Sequence, residues 1–121
     1  MKQVLIVDDS PQVRRRIAAL LNESPLIRIV GEAGSGREAL ETVKQTRPDT
    51  VILDIRLPDQ NGMTLLKQFK TRYPKMTVIM LTNLEDPRYR RACLDLGADH
   101  FFSKTEEFDR IIDMIATNAA H

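Results

Sequence analysis

Five short apolar runs, each followed by an amphipathic stretch, are the feature that most constrains the fold of this 121-residue chain. In the stretch after the first run, Val13, Ile17 and Leu21 recur at helical spacing. Alternating strand and helix patterns build a parallel sheet, and the unbroken apolar run 4–7 is typical of a strand covered on both faces. The predicted strands are 3–8, 27–33, 49–54, 76–82 and 98–102. We therefore expect an α/β fold, a doubly wound, five-stranded parallel sheet with helices on both faces.

Residues at the ends of the amphipathic stretches support these boundaries. Ser10, followed by proline, places a side-chain acceptor where a helix commonly begins, and Ser35 with Glu38 has the spacing of a capping box. Gly97 is expected to end the fourth helix. Thr105 is expected to cap the fifth helix, ahead of two carboxylates that favour its positive end.

Length and composition limit the function classes. The length supports one core, so we expect a single domain over residues 1–121 with no separate output domain. The formal net charge of +1 argues against a dedicated nucleic-acid binder, and the arginines at 14–16 and 88–91 are interpreted as solvated helix faces. No apolar run is long enough for a membrane span, and the N-terminus lacks a signal-peptide pattern. The lone Cys93 cannot form an intrachain disulfide, which fits a cytoplasmic location.

Polar residues stand at the carboxyl ends of four predicted strands. Asp8 and Asp9 follow the first strand, Asp54 ends the third, Thr82 ends the fourth and Lys104 follows the fifth. In a parallel sheet these ends share one edge, where ligands bind. Mg²⁺ prefers carboxylate and water oxygens, so the three acids can hold it if the first and third strands are neighbours. The flavodoxin-like strand order 2-1-3-4-5, which we expect here, meets that condition.

The same residues suit phosphoryl transfer. A carboxylate can attack phosphorus and form an aspartyl-phosphate, a reaction that depends on positioning and charge neutralisation. Asp54 is the candidate acceptor, Lys104 supplies a compact positive charge for a phosphoryl oxygen, and Thr82 can donate a hydrogen bond to another. His100 and Cys93 are expected to be structural, because nothing in the sequence resembles a Ser-His-Asp or Cys-His nucleophile set.

In these motifs the chain resembles the response-regulator receiver domains of two-component signalling, over essentially its whole length. The matching pieces are Asp8-Asp9, the segment from Asp54 through Pro58 to Gly62, Leu81-Thr82, and Gly97-Ala98-Asp99 with Phe101 and Lys104. The resemblance implies that Asp54 accepts a phosphoryl group from the phosphohistidine of a sensor histidine kinase or a histidine phosphotransfer protein.

The resemblance also implies roles for the other residues of the motifs. The implied Mg²⁺ ligands are Asp8, Asp9, Asp54 and the backbone carbonyl of Arg56. Thr82 and Lys104 would contact the phosphoryl group, and Phe101 would be the aromatic switch residue. The output partner would bind the face formed by the fourth helix, the fifth strand and the fifth helix. Such a chain is a phosphorylation-controlled binding module and not an enzyme, with its downstream effector unnamed and phosphorylation-dependent homodimerisation left open.

Some positions depart from common family patterns. Thr105 follows the lysine where many members have proline, so we expect a different turn into the last helix. Asn83 follows the switch threonine where a small residue is common. Arg56 and Leu84 flank the site at positions that influence phosphate lifetime in the family, which leaves that lifetime open here. Phe101 also fits plain core packing.

Two other interpretations compete with the receiver domain. An aspartyl-phosphate phosphatase of similar topology would carry a second acid two residues after the nucleophile, but Arg56 stands at that position. A dinucleotide-binding half-domain is suggested by Gly34, Gly36 and Ala39, which match G-x-G-x-x-A after a predicted strand. The dinucleotide interpretation leaves the acid pair and Lys104 unexplained, whereas a glycine loop with a helix cap needs no ligand.

Overall fold

The computed structural model describes residues 1–84, 86–104 and 110–119, with side chains described as far as residue 115. The strands are β1 (Lys2–Val7), β2 (Ile27–Ala33), β3 (Thr50–Leu53), β4 (Thr77–Thr82) and β5 (His100–Ser103). The helices are α1 (Pro11–Leu21), α2 (Gly36–Thr46), α3 (Gly62–Arg72), α4 (Pro87–Asp95) and α5 (Arg110–Ala119). Within the described ranges, none of the helices is both long and apolar enough to cross a membrane. The expected Thr105 cap, and Phe108 on the apolar face of the fifth helix, lie outside the described residues.

The five strands form one parallel sheet in the order β2-β1-β3-β4-β5, which confirms the predicted doubly wound topology. β1 pairs with β3 so that Val7 lies opposite Leu53. β1 also pairs with β2, with a shift of register between Val4 and Leu5. Because β1 and β3 are neighbours and end together, the residues that follow them lie side by side at the edge where the strands terminate, which we call the carboxyl edge.

Both faces of the sheet are buried. Successive side chains of a strand point to opposite sides, so the residues of β1 show both cores. On β1, Leu5 and Val7 belong to a core cluster that includes residues of α2, α3 and α4, with Phe69 of α3 fully buried. Val4 and Ile6 belong to a second cluster, shared with α1 and α5. Helices therefore cover both faces of the sheet, as the unbroken apolar run predicts.

The capping residues behave largely as expected. Ser10 Oγ accepts a backbone N–H of the first turn of α1 at 3.2 Å. Ser35 Oγ accepts the Glu38 N–H at 3.2 Å at the start of α2. The return bond of the predicted capping box goes to the Gly34 N–H, which donates to Glu38 Oε2 at 3.3 Å. Gly97 has φ 104° just after α4, a left-handed conformation that favours glycine at a helix end.

The largest difference in a strand boundary is at β5, which begins at His100 and not at residue 98. Asp99, predicted to lie within the fifth strand, instead bonds to the beginning of β4. Its N–H donates to the Val78 carbonyl at 2.9 Å, and its carboxylate accepts the Val78 N–H at 2.8 Å. The residue before β5 therefore fixes the beginning of β4 through a side-chain bond that an apolar pattern cannot reveal.

Candidate functional site

The three predicted acids meet at the carboxyl edge. Asp8 lies one residue beyond β1 and Asp54 one residue beyond β3, where the Asp54 N–H donates to the Val7 carbonyl at 3.2 Å. One carboxylate oxygen from each of Asp8, Asp9 and Asp54 lies within 4.8 Å of the others. Asp8 and Asp54 are buried, whereas Asp9 is exposed. The acid cluster expected from the sequence is therefore formed, with one member open to solvent.

Lys104, directly after β5, joins two of these acids. Its Nζ lies 2.5 Å from Asp8 Oδ2 and 2.7 Å from Asp54 Oδ2. The side chains of Lys104, Asp8 and Asp54 are 9%, 2% and 8% exposed, so water screens these ion pairs poorly. Burial alone would lower the pKa of the Lys104 ammonium, but its hydrogen bonds to Asp54 and Asp8 outweigh burial and raise it. At Asp8 burial dominates over the Lys104 hydrogen bond and raises the carboxyl pKa above 3.8.

Backbone donors hold the same carboxylates in place. Asp8 Oδ1 accepts the Ser10 N–H at 2.9 Å, and Asp54 Oδ1 accepts the Ile55 N–H at 2.7 Å. Three carboxylates and one ammonium leave two negative charges in excess at the cluster. A hard divalent cation prefers oxygen ligands of this kind and would offset that excess. The donor set and the spacing of its oxygens therefore fit a magnesium ion.

Thr82 lies beside this cluster at the end of β4. Its side chain is buried, at 1% relative exposure, and its Oγ1 accepts the Leu84 N–H at 3.3 Å. The Thr82 carbonyl accepts the Lys104 N–H at 3.0 Å, which joins the ends of β4 and β5. Thr82 is therefore bonded through its backbone to Lys104, and its hydroxyl, which accepts one hydrogen bond, can still donate another.

Phe101 lies on β5 with its ring buried, at 7% relative exposure. The Arg90 guanidinium of α4 stands over this ring, with Cζ 5.0 Å from the ring centroid, and Nη1 donates to the Phe101 carbonyl at 3.1 Å. A cation over an aromatic face is attracted by the ring quadrupole. Phe101 is thus part of the core, as one of its two expected roles requires, and is also in contact with an exposed helix.

The loop between β3 and α3 is packed tightly against Asp54. Gly62 lies so close to this residue that a Cβ at position 62 would be 2.0 Å from the Asp54 carbonyl oxygen. Asn61 Oδ1 accepts the Met63 N–H at 2.8 Å and caps α3. Arg56 pairs with Asn61 across the loop and its side chain is exposed. The glycine in the motif after Asp54 is therefore required by close approach to the backbone of the candidate acceptor.

Asp59, in the same loop, caps a different helix. Its carboxylate accepts the Gly36 N–H at 2.8 Å and the Arg37 N–H at 3.0 Å, and these two bonds lower the pKa of its carboxyl. The positive end of α2 is therefore occupied by an acid of this chain. Gly36 also packs against the Gln60 side chain, which would have to move to accommodate a Cβ at position 36. The glycine motif at 34–39 thus serves contacts within the protein, which leaves the dinucleotide interpretation without support.

The interpretation of the arginine clusters as solvated faces is wrong for Arg14. This side chain is half-buried, donates from Nη1 to the Asp8 carbonyl at 2.5 Å and pairs through Nε with Glu32 at 3.1 Å. Its contact with Asp8 joins α1 to the residue that directly follows β1. The neighbouring Arg15 is exposed, as expected.

Comparison with known proteins shows the family to which the chain is similar. The family model described as the response regulator receiver domain matches residues 4–116. Protein CcdB of Bacillus subtilis is 36% identical over 121 residues and is covered in full, as is this chain. The protein-glutamate methylesterase/protein-glutamine glutaminase of Alkalilimnicola ehrlichii is 39% identical over 104 residues. That match covers 84% of this chain but 26% of the methylesterase, so only a fraction of that relative's length is represented here.

Solved structures show the same likeness in three dimensions. One chain of the crystal structure of the CheX–CheY–BeF₃–Mg²⁺ complex from Borrelia burgdorferi superposes with a TM-score of 0.88 at 27% identity. The superposition covers 97% of this chain and 88% of that chain. The complete sheet and its helices are therefore shared with a structure that was solved with magnesium and a beryllofluoride group.

Proposed function

Because this chain belongs to the response regulator receiver domain family, we propose that it is a signalling module controlled by phosphorylation of Asp54. The observation that carries the proposal is the bridge from Lys104 Nζ to Asp8 and Asp54, at 2.5 and 2.7 Å. The bridge brings the candidate acceptor, an acid of the metal cluster and a cation for phosphoryl oxygens to one point.

In the proposed reaction, the Asp54 carboxylate attacks the phosphorus of a phosphohistidine on a sensor histidine kinase or a histidine phosphotransfer protein. The P–N bond to the imidazole breaks as the P–O bond to Asp54 forms, so no water is consumed. A carboxylate nucleophile needs no general base. Lys104 then contacts a phosphoryl oxygen instead of the free carboxylate. A groove of about 610 Å³ includes Ile55, the residue after Asp54, and is lined by Arg56, Leu84 and Tyr89 among others, so we propose it as the place where the donor docks.

The proposed Mg²⁺ ligands are the carboxylates of Asp8, Asp9 and Asp54 and the backbone carbonyl of Arg56. When bound, the ion supplies charge neutralisation for the phosphoryl oxygens. The chain's own residues keep the two buried carboxylates oriented, because backbone N–H groups hold one oxygen of Asp8 and one of Asp54. The beryllofluoride and magnesium in the Borrelia burgdorferi complex support this assignment.

Output is proposed to follow from Thr82 and Phe101. A phosphoryl group on Asp54 attracts the Thr82 hydroxyl as a hydrogen-bond donor. Movement of this hydroxyl displaces the β4–α4 loop, because Thr82 Oγ1 also accepts the Leu84 N–H. Phe101 and the face formed by α4, β5 and α5 are proposed to change conformation in turn. Arg88, Arg91 and Leu94 of α4 are exposed there, available to a downstream effector or to a second copy of the chain. We propose a cytoplasmic location for this module, which its single cysteine fits.

Asp54→Ala provides the direct test. We expect acetyl phosphate with Mg²⁺ to phosphorylate the wild-type chain, seen as a retarded band on a phosphate-affinity gel, and beryllofluoride with Mg²⁺ to shift its amide NMR spectrum. Neither response should remain in Asp54→Ala, whereas Asp95→Ala, which removes an exposed acid of α4, should respond as the wild type does. An unchanged response in Asp54→Ala would refute the assignment of the acceptor.

A further inference from the structure

Arg14 makes two directed contacts next to the acid cluster that the proposed function does not use. Its Nη1 donates to the Asp8 carbonyl at 2.5 Å, and its Nε donates to Glu32 Oε1 at 3.1 Å. The side chain is 19% exposed. A Cβ on Gly34 would lie 3.1 Å from Arg14 Nη1, so the glycine after β2 leaves the space that the guanidinium fills.

The Asp8 carbonyl is the bond acceptor that bears on the metal site. It belongs to the planar peptide group that joins Asp8 to Asp9, so a donor that fixes this oxygen also fixes the direction in which Asp9 leaves. The Asp8 N–H already donates to the Ala33 carbonyl at 3.0 Å, and its carboxylate is held by Ser10 and Lys104. Arg14 therefore holds the last polar atom of Asp8.

Asp9 is the member of the acid cluster that needs such support. Its carboxylate is exposed, in contrast to the buried carboxylates of Asp8 and Asp54. Lys104 holds both buried acids, but the structure gives it no contact with Asp9. Among the residues described, no side chain pairs with the Asp9 carboxylate, which leaves the Asp8–Asp9 peptide group, held by Arg14, as the part of the backbone through which Asp9 can be oriented.

We infer that Arg14, held in turn by Glu32, is a positioning residue that orients the Asp8–Asp9 peptide so that the Asp9 carboxylate points to a divalent cation. This inference rests on the proposed function, since it concerns the same metal site. An arginine suits the role because its rigid guanidinium presents donors in two fixed directions, whereas a lysine ammonium is a single point charge.

The sign of the effect separates positioning from simple electrostatics. Arg14 is a cation beside a cation site, so if only its charge mattered, its removal would tighten the binding of Mg²⁺. If it positions Asp9, its removal weakens binding, by about tenfold on the scale of hydrogen-bond partners that orient metal ligands. The two explanations therefore predict opposite shifts of the dissociation constant.

The test is a Mg²⁺ titration of the full chain, followed by amide NMR shifts at constant ionic strength. We expect Arg14→Gln to weaken Mg²⁺ binding about tenfold, Glu32→Gln to weaken it less, and Arg14→Lys to weaken it although the charge is kept. Arg15→Gln is the matched control, because it removes the same charge from an exposed position one residue along α1. It should bind Mg²⁺ as the wild type does.

The outcomes distinguish the two proposals. Equal or tighter binding by Arg14→Gln overturns the positioning role and leaves the proposed function intact. A wild-type chain that shows no saturable Mg²⁺ shift overturns both the metal assignment and this inference. If Arg14→Gln does not fold, Arg14→Lys and Glu32→Gln decide, and wild-type affinity in both of them refutes the inference.

Discussion

Two lysines bind aspartate at opposite edges of the sheet, and their surroundings differ. At the carboxyl edge, Lys104 contacts the carboxylates of Asp8 and Asp54. At the edge where the strands begin, Lys70 of α3 pairs with Asp99 at 3.0 Å and also donates to the Met76 carbonyl at 2.9 Å and the Pro74 carbonyl at 3.3 Å. Lys70 is therefore surrounded by neutral acceptors and one acid, whereas Lys104 is outnumbered by acids.

The difference shows what separates a scaffold from a site in this fold. The charge of Lys70 is balanced by Asp99, and its bonds close the turn before β4. The Asp99 carboxylate also accepts the Val78 N–H, so the Lys70–Asp99 pair needs no further ion to balance its charge. At the carboxyl edge the excess negative charge persists after Lys104 has been counted, which is a condition that folding alone does not favour. Charge balance, more than the residue types, distinguishes the two edges.

Lys104→Met should have the largest effect on stability. It leaves Asp8 and Asp54 buried without their cation, and removal of one partner from a buried ion pair costs about 3 kcal/mol or more. We expect the free energy of unfolding, measured by urea denaturation without divalent cations, to fall by about that amount, and added Mg²⁺ to recover part of the loss.

A double variant supplies the control for this prediction. In Lys104→Met combined with Asp8→Asn, one of the two uncompensated carboxylates is also removed, so the loss should be smaller than the sum of the two single-variant changes. A change equal to that sum would show that repulsion between the acids is not what the lysine relieves.

Lys70→Met should have a smaller effect. Asp99 is 38% exposed and keeps its bond to the Val78 N–H, so water can replace part of what the lysine supplies. We expect a loss of about 1 kcal/mol in the same urea experiment, and added Mg²⁺ should stabilise this variant only as much as it stabilises the wild type. Equal losses for the two methionine variants, or a larger Mg²⁺ stabilisation of Lys70→Met than of the wild type, would remove the distinction between the edges.

Asp8→Asn should have the smallest effect on stability, in the opposite direction. The pKa of Asp8 is raised above 3.8, so the folded state binds this proton more tightly than the unfolded state. The contribution of Asp8 to the free energy of unfolding therefore falls as pH rises from about 3.8 through the raised pKa, and stays lower at neutral pH. Asparagine keeps an acceptor for the Ser10 N–H without the charge.

The Asp8→Asn variant should thus be slightly more stable than wild type at pH 7 and show a flatter pH profile above pH 4, as measured by urea denaturation at several pH values without divalent cations. A wild type that is more stable than Asp8→Asn throughout that range would mean that the Lys104 pairing outweighs the burial of Asp8.

The sequence was sufficient for the sheet and for the residues that gather at its carboxyl edge. Unbroken apolar runs such as 4–7 predict strands buried on both faces, and acids that end such strands predict the meeting of Asp8 with Asp54. These features are local in sequence or follow from strand order. The roles assigned to Arg56 and Phe101 by resemblance remain predictions.

The contacts that the sequence did not reveal depend on side chains crossing between elements. Arg14 contacts a carbonyl six residues earlier, and Lys70 reaches Asp99 across 29 positions. On its own helix each is an ordinary basic residue, and no periodic pattern marks it. A helix end gave a similar surprise at Asp59, which lies 23 positions from Gly36.

The hydrogen bonds from α2 to Asp59 make movement of the loop after Asp54 measurable by amide hydrogen exchange. The Gly36 and Arg37 amides are shielded by the Asp59 carboxylate, so they exchange their hydrogens with deuterated water when that carboxylate lets go. Their exchange rates therefore report how often this loop opens. The two amides belong to α2, which contains none of the three clustered acids. Hydrogen exchange at the Gly36 and Arg37 amides thus reports how often the loop next to Asp54 moves.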